Sequence, residues 1–232
     1  NCTSAAGAIV TYVTPTATDT CDPTPTVTCV PASGTTFAIA VTSVTCTARD
    51  HATPVNSTTC SFTVTVRDVT GPVVTCPANV TADCTSAAGA VVSYVTPTAT
   101  DTCDPAPTVS CVPASGTTFA IGANTVTCTA RDHATPVNST TCSFTITVRD
   151  VTGPAVTCPA NVTADCTSAL GAVVSYVTPT ATDACDPTPT VSCVARTGAA
   201  FGIGAATVVG TGGGRATPVN STTCTFAITV RD

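Results

Sequence analysis

The chain repeats itself three times, with a period of 82 residues from Cys2 to Cys84 and from Cys84 to Cys166. Each of these cysteines begins nearly the same segment, which reads CTSAAGA, CTSAAGA and CTSALGA. Residues 1–68 and 83–150 differ at only ten positions. A repeat of this length is typical of a tandem array in which every unit folds alike and contacts its neighbours in sequence.

The repeat frame predicts three domains. They cover 1–68, which lacks its opening strand, then 69–150 and 151–232. The third copy departs from the pattern near 195–215, where a glycine-rich stretch replaces TCTARD. Because the sequence begins and ends inside the repeat frame, we interpret it as a piece of a longer array or as a subunit whose missing strand comes from a neighbour.

Within each copy, apolar and polar residues alternate over short segments. Cys142, Phe144, Ile146 and Val148 face one way and the residues between them face the other, which is the period of a half-buried strand. Six or seven such strands, separated by Pro and Gly, predict a small β-sandwich of about 80 residues. In the second copy the predicted strands are Val73–Cys76, Ala90–Thr96, Thr108–Val112, Thr117–Ile121, Thr125–Arg131 and Thr141–Arg149.

The charged residues argue against several functions. The net charge is −6, with seven scattered arginines, which offers no basic surface for nucleic acid. The longest apolar runs fall far short of the roughly 20 residues of a membrane span. Only His51 and His133 could act as bases near neutral pH, and the third copy has no histidine at that position. We therefore expect a protein that is not an enzyme, with no nucleic-acid partner and no membrane span in this segment.

The cysteine content predicts an oxidising compartment. None of the 16 cysteines forms a C-x-x-C pair of the kind used by zinc and redox sites, so disulfides are favoured. Stable disulfides and N-glycosylation sequons both indicate a secreted, extracellular or cell-surface protein. The six sequons begin at Asn1, Asn56, Asn79, Asn138, Asn161 and Asn220.

Several separated segments resemble a known domain family. The second copy contains, in order, GPVVTCPANVT, PTATDTC, SGTTFAIG, VTCTARD and TCSFTITVRD. This frame resembles the HYR (hyalin repeat) domain, an immunoglobulin-like module, and the resemblance extends over essentially the whole chain. It implies tandem immunoglobulin-like β-sandwiches stapled by disulfides. One departure is the segment Arg131–Asn138, where the family usually has a different turn.

The resemblance also implies a disulfide scheme of three bonds per full repeat. In an immunoglobulin-like fold Cys111 would lie beside Cys128 and Cys76 could meet Cys142, which leaves Cys84 for Cys103. Two cysteines, Cys60 and Cys193, are then expected to be unpaired, the latter because Gly210 replaces its partner. The equivalent pairs in the other copies are Cys2 with Cys21, Cys29 with Cys46, Cys158 with Cys224, and Cys166 with Cys185.

Aspartates recur beside a bend in every copy. They are Asp19 with Asp22, Asp101 with Asp104, and Asp183 with Asp186, while Asp68 and Asp150 lie at the repeat junctions. Ca²⁺ is one ligand that such groups could bind. Each local cluster offers only two carboxylates, so capping of turns by Asp is favoured and we expect no metal site and no cofactor.

The sequons are in phase with the repeat. Asn56, Asn138 and Asn220 share one position, and Asn79 and Asn161 share another. Because similar copies should fold alike, we expect N-linked glycans at all five, exposed equally within each set, whereas Asn1 is weaker. Thr/Pro-rich segments are candidate O-glycan acceptors.

Two functions from different classes fit these observations. The first is a structural, glycosylated extracellular rod or filament, whose partners are copies of itself or neighbouring repeats. Uniform loops and short junctions favour it, and three units of roughly 30–40 Å would make a rod of about 100 Å. The alternative, implied by the family, is a cell-adhesion or glycan- or receptor-binding module that contacts other surface or matrix glycoproteins.

Overall fold

The computed structural model describes residues 1–216 and 219–232. Every regular element in these residues is a β-strand, so the predicted all-β class is confirmed. Nowhere in the described chain is there a helix with the length and apolar character needed to cross a membrane.

Each repeat contributes its own set of strands. The first repeat contains β1 (Ala8–Val10), β2 (Thr26–Val30), β3 (Thr35–Phe37), β4 (Val41–Arg49) and β5 (Ser57–Thr65). The second contains β6 (Val73–Val74), β7 (Val80–Asp83), β8 (Ala90–Val92), β9 (Ala99–Thr100), β10 (Thr108–Val112), β11 (Thr117–Phe119), β12 (Gly122–Arg131) and β13 (Ser139–Arg149). The third contains β14 (Ala155–Thr157), β15 (Val162–Asp165), β16 (Ala172–Val174), β17 (Thr180–Thr182), β18 (Thr190–Cys193), β19 (Ala199–Phe201), β20 (Gly204–Gly213) and β21 (Ser221–Arg231).

The second and third repeats have the same sheet topology. In the second repeat a four-stranded sheet has the order β10-β12-β13-β7, and two small sheets pair β8 with β11 and β6 with β9. The pairs β10 with β12, β8 with β11 and β6 with β9 are antiparallel, whereas β13 and β7 run parallel. The third repeat follows the same plan, and the first has a three-stranded sheet in the order β2-β4-β5.

The apolar side chains on one face of β13 form the predicted core. Phe144, Ile146 and Val148 are only 4, 0 and 1% exposed. The ring of Tyr94 meets Phe144 edge to face, with centroids 5.1 Å apart. Each fully buried aliphatic side chain of this kind contributes on the order of 2 kcal/mol, so the small core supplies only part of the stability of the domain.

The structure differs from the predicted strands in length and in number. β6, β8 and β11 end at Val74, Val92 and Phe119, earlier than predicted, and the short strand β9 was not predicted. β12 begins at Gly122 and β13 at Ser139, both earlier than predicted. The equivalent strands of the third repeat, β20 and β21, pair as a long hairpin from Gly204 opposite Val230 to Gly213 opposite Ser221. The strand β7 was not predicted either. Its segment follows Pro77 and its partner in the sheet is far away in sequence, so local periodicity gave no signal for it.

The chain divides into two compact units that do not coincide with the repeats. The first comprises Asn1–Pro77, Thr96–Val112 and Thr127–Ser143, and the second Ala78–Val95, Pro113–Val126 and Phe144–Asp232. The first unit contains the junction between repeats one and two, and the second contains the junction between repeats two and three. All six disulfides lie within one unit or the other.

Candidate functional site at the repeat junctions

Two disulfides link consecutive repeats. Cys2 bonds to Cys103 and Cys84 to Cys185, each with Cα atoms 6.1 Å apart and a sequence separation of 101. The other four bonds lie within repeats and join Cys29 to Cys46, Cys76 to Cys142, Cys111 to Cys128, and Cys158 to Cys224. The second cysteine of one repeat is therefore bonded to the third cysteine of the next.

The expected bond between Cys84 and Cys103 is wrong, and so are its equivalents Cys2–Cys21 and Cys166–Cys185. Cys84 directly follows β7, whose parallel pairing with β13 carries it to the end where the chain leaves the repeat. Its N–H donates to the carbonyl of Arg149 at 2.8 Å, on the last residue of β13. From this position Cys84 reaches the next repeat, while Cys103 bonds to the previous one.

Four cysteines form no bond in the structure. They include the two expected to be unpaired, Cys60 and Cys193, together with Cys21 and Cys166. Cys193 lies opposite Gly210 in the register of β18 and β20, at the position where Cys111 faces Cys128. The glycine therefore accounts for the missing bond in the third repeat.

A loop stabilised by aspartates presents the third cysteine of each repeat. Asp101 Oδ1 accepts the N–H groups of Cys103 at 2.7 Å and Asp104 at 3.1 Å. Asp104 Oδ1 in turn accepts the N–H of Ala106 at 3.0 Å. The same contacts recur around Cys21 and Cys185, so the bend aspartates cap turns.

Asparagine side chains connect consecutive repeats at the same junctions. Asn138 Nδ2 donates to Asp132 Oδ2 at 2.7 Å and to the carbonyl of Asp68, in the preceding repeat, at 3.4 Å. In the third repeat Asn220 Nδ2 donates to the carbonyl of Asp150 at 3.1 Å. Sequence reasoning treated these asparagines only as glycan acceptors and missed this contact. No local spacing indicates this contact, because its acceptor lies 70 residues earlier, in the preceding repeat.

Three carboxylates meet at the first junction, one more than the sequence predicted for any cluster. Oxygens of Asp68, Asp101 and Asp132 lie within 4.8 Å of one another. Hard oxygen ligands of this kind suit Ca²⁺. However, each carboxylate already accepts backbone N–H groups in its own turn, and Gly214 occupies the position of Asp132 in the third repeat. The shared role of these aspartates is to cap turns.

The histidines of the first two repeats each contact an aspartate of the bend. His133 Nδ1 lies 2.8 Å from Asp104 Oδ2, which also accepts the His133 N–H at 3.0 Å. His51 and Asp22 form the same pair at 2.8 Å. In the third repeat the N–H of Arg215 donates to Asp186 at 3.0 Å. The two histidines therefore hold the junction loop against the following turn.

We expect acid to weaken this loop. The N–H of Ala106 and then the ring of His133 lower the pKa of Asp104 below its ordinary value. A carboxylate whose pKa is lowered by folding stabilises the folded state at pH values above its pKa in the unfolded chain, which is about 3.9. That contribution is lost as the pH falls through the pKa of the same group in the folded state. The urea midpoint should therefore drop between pH 5 and pH 2 by less in Asp104→Asn than in the unchanged protein. Identical pH dependence would contradict the assignment.

The sequon asparagines differ in exposure, contrary to the expectation that equivalent copies expose them equally. Asn56 is exposed, whereas Asn138 and Asn220 are half-buried because a neighbouring repeat covers them. Asn79 and Asn161 are both exposed, and each uses Oδ1 to accept a backbone N–H, from Thr145 and Ala227 respectively. The amide nitrogens of Asn79 and Asn161 make no hydrogen bond in the described structure.

Comparison with known proteins identifies the repeats. The model of the HYR domain family matches residues 3–66, 67–148 and 149–230. Hyalin of Strongylocentrotus purpuratus is 33% identical over 228 residues, which cover 95% of this chain and 19% of hyalin. The chain therefore spans about one fifth of the length of this relative.

The solved structures that the chain matches include tandem cadherin domains. Mouse cadherin-23 EC22-24 matches with a TM-score of 0.40 and 17% identity, over 96% of this chain and 92% of that one. Drosophila N-cadherin EC1-4 matches with a TM-score of 0.38 and 12% identity, over 87% of this chain and 60% of that one.

Since the family model accounts for nearly every residue in three consecutive matches, the chain belongs to the HYR domain family, with three HYR domains in tandem.

Proposed function

We propose that this chain is a structural segment of an extracellular glycoprotein, in which HYR domains stack into a rod or filament. The observation that carries the proposal is the junction itself. The disulfides Cys2–Cys103 and Cys84–Cys185 tie each repeat to the next, and an asparagine hydrogen bond accompanies each of them. Connected domains ordinarily move relative to one another, and a covalent bond at every junction restricts that motion.

The compartment follows from the same bonds. Six disulfides require an oxidising environment, which in most organisms is the secretory pathway and the cell exterior. Together with the family membership, this supports a secreted or surface location. Membership of the HYR family fits a structural or adhesive role, and we propose that the chain has no catalytic activity.

Small-angle scattering tests the proposed rod. With three sandwiches of roughly 30–40 Å placed end to end, the maximum dimension should be about 100 Å. A double variant that lacks one junction bond, Cys84→Ser with Cys185→Ser, should give a broader distance distribution. A maximum dimension of about half that length in the unchanged protein would refute the rod.

Adhesion is the second candidate, favoured by apolar side chains exposed at one repeat position. Val13, Val95 and Val177 are 92, 81 and 76% exposed. Beads coated with the chain should aggregate if these valines mediate homophilic contact, and Val→Ser at all three positions should abolish the aggregation. Aggregation that is unchanged in the triple variant would exclude these valines as the contact.

Glycosylation should follow the observed exposure. We expect high occupancy at Asn79, Asn161 and Asn56, and low occupancy at Asn138 and Asn220. A glycan on either of the last two would replace a proton of an Nδ2 group that donates to the preceding repeat, and would place sugar in the junction. Glycopeptide analysis of the secreted protein measures all five sites. Equal occupancy at Asn79 and Asn138 would contradict the prediction.

A further inference from the structure

Three cysteines of the second repeat occupy neighbouring strands of its four-stranded sheet. Cys111 lies opposite Cys128 in the register of β10 and β12, and the two are bonded. The other neighbour of β12 in the sheet is β13, which carries Cys142. Cys142 is bonded to Cys76, which follows β6. Cys128 thus occupies the middle strand between two cysteines and is bonded to one of them.

The first repeat shows both neighbours of this middle position directly. Cys46, the equivalent of Cys128, lies opposite Cys29 in β2 and opposite Cys60 in β5. Directly opposite residues of antiparallel strands have Cα atoms about 4.5 or 5.5 Å apart and side chains on the same face. Disulfides form over Cα distances of about 4.4–6.8 Å. A cysteine at the middle position can therefore bond to the cysteine on either side.

The third repeat shows how close the outer sulfur comes to the middle position. Gly210 replaces the middle cysteine there and lies opposite Cys193 and Cys224. A Cβ atom built on Gly210 would lie 3.5 Å from Cys224 Sγ, the sulfur that is bonded to Cys158. A sulfur carried by that Cβ can reach contact with Cys224 Sγ. The thiolate of a middle cysteine is thus placed to attack the neighbouring disulfide.

Burial gives the exchange of these bonds a direction. Cys128 is 0% exposed, whereas Cys111 and Cys76 are half-buried. A small thiol from solvent therefore reaches the Cys111 sulfur, and its attack there leaves Cys128 as a thiolate in the apolar core. Burial disfavours the charged form of a thiol. Transfer of the charge to Cys76 brings it closer to water.

We propose that Cys76, Cys111, Cys128 and Cys142 form a thiol–disulfide exchange site, whose co-reactant is a small thiol of the glutathione class. This inference goes beyond the proposed structural function and does not depend on it. When Cys128 bonds to Cys142, Cys76 is released as a thiol. The strand β6 then keeps only its two-residue pairing with β9, so the segment by which the chain enters the second repeat is loosened.

The exchange proceeds by two displacements and conserves the number of disulfides. The thiolate of the small thiol attacks Cys111 Sγ, which forms a mixed disulfide and releases the Cys128 thiolate. That thiolate attacks Cys142 Sγ, so that the Cys128–Cys142 bond forms and the bond to Cys76 breaks. The Cys76 thiolate takes up the proton that the small thiol gave to solvent. No separate oxidant or reductant is needed.

The first experiment makes the second displacement independent of any added thiol. The background is the full chain with three unpaired cysteines replaced, namely Cys21→Ser, Cys60→Ser and Cys166→Ser. In this background Cys111→Ser leaves Cys128 as a thiol beside the Cys76–Cys142 bond. The variant should fold, because the third repeat retains the pairing of β18 with β20 without the equivalent bond. Incubation with iodoacetamide should label Cys76, and mass spectrometry should find Cys128 linked to Cys142.

The third repeat is the matched control in the same molecule. Its free thiol, Cys193, lies two strands from Cys224, or about 9.5 Å, which is too far for a disulfide. We expect Cys76 to be labelled about tenfold faster than Cys158 or more, at a rate that does not depend on protein concentration. Equal rates at the two positions, or label on Cys128 in place of Cys76, would overturn the proposal.

A second experiment tests the step with the small thiol. In the background with Cys111 and Cys128 intact, limiting glutathione followed by iodoacetamide should give a mixed disulfide at Cys111 and label at Cys76 in the same molecules. Cys128→Ser should leave Cys76 unlabelled under these conditions, because the thiol of Cys111 is then two strands from Cys142. Equal label at Cys76 in both proteins would mean that glutathione attacks the Cys76–Cys142 bond directly, and the exchange site would be refuted.

Discussion

Replacing Cys84 and Cys185 together by serine is expected to lower the free energy of unfolding by about 4 kcal/mol. The bond closes a loop of 101 residues, and a loop of that order removes much conformational entropy from the unfolded chain. Other bonds within the loop shorten it somewhat in the unfolded state. Because the lost bond joins two repeats, the loss should be concentrated in the junction between the second and third. The side-chain amide of Asn220, whose Nδ2 donates to the carbonyl of Asp150, should lose its protection from hydrogen exchange there.

The bond between Cys111 and Cys128 provides the matched control. It closes 17 residues within one repeat, so its removal should cost about 3 kcal/mol and should leave exchange at Asn220 unchanged. If both double variants lowered protection at Asn220 equally, the disulfide between repeats would have no special role in the junction.

Substitution of Gly89 by alanine is expected to destabilise the second repeat by more than about 3 kcal/mol. Gly89 has a φ of +109°, and a Cβ atom there would lie 1.9 Å from the carbonyl oxygen of Phe119. That oxygen belongs to β11, which pairs with β8 directly after the glycine, so the strand would have to move. Denaturation followed by hydrogen exchange in β8 and β11 measures the loss.

Gly116 separates the clash from the backbone conformation. It also has a positive φ, of +81°, but the nearest atom to a built Cβ is Ser93 Oγ at 4.0 Å. Gly116→Ala should therefore cost only the conformational penalty of about 1 kcal/mol. Equal losses for the two variants would show that φ, and not the approach of Phe119, determines the effect at Gly89.

The alternation of apolar and polar residues along the sequence was sufficient to predict the core residues and the presence of the long strands. The alternation from Cys142 to Val148 has the period of a strand, and the structure buries Phe144, Ile146 and Val148 as that pattern predicts. The pairing of Cys111 with Cys128, expected from the family resemblance, places the two cysteines directly opposite each other in β10 and β12. Where the decisive contacts lie between sequence neighbours or across a hairpin, the sequence carries the information.

The junction could not be predicted in the same way. The position of Cys84 depends on β7, whose parallel partner lies more than sixty residues later, at Ile146–Arg149. Without that strand, the sequence does not indicate which end of the repeat carries Cys84. If each repeat is assumed to form its bonds only within itself, Cys103 is the one cysteine left for Cys84. The structure shows that the assumption is wrong, because both cysteines bond to other repeats. The partial burial of Asn138 was missed for the same reason, because it depends on contact with the preceding repeat.

The overlap of the two junction bonds also determines how the chain would respond to tension. Cys84 and Cys103 are only 19 residues apart, although the bonds that they make reach from Cys2 to Cys185. A pulling force applied between Cys2 and Cys185 would pass through the two bonds and the segment between Cys84 and Cys103. That segment extends to about 65 Å, whereas the whole intervening chain would extend to about 630 Å.

Only the short strands β8 and β9 lie on this force-bearing path. The long strands β12 and β13, which carry the core of the second repeat, lie outside it. The oxidised chain should therefore yield first by a short extension at β8 and β9, and then stop at a covalent limit with its core strands unloaded. A reducing environment would remove that limit and expose the core to the full force.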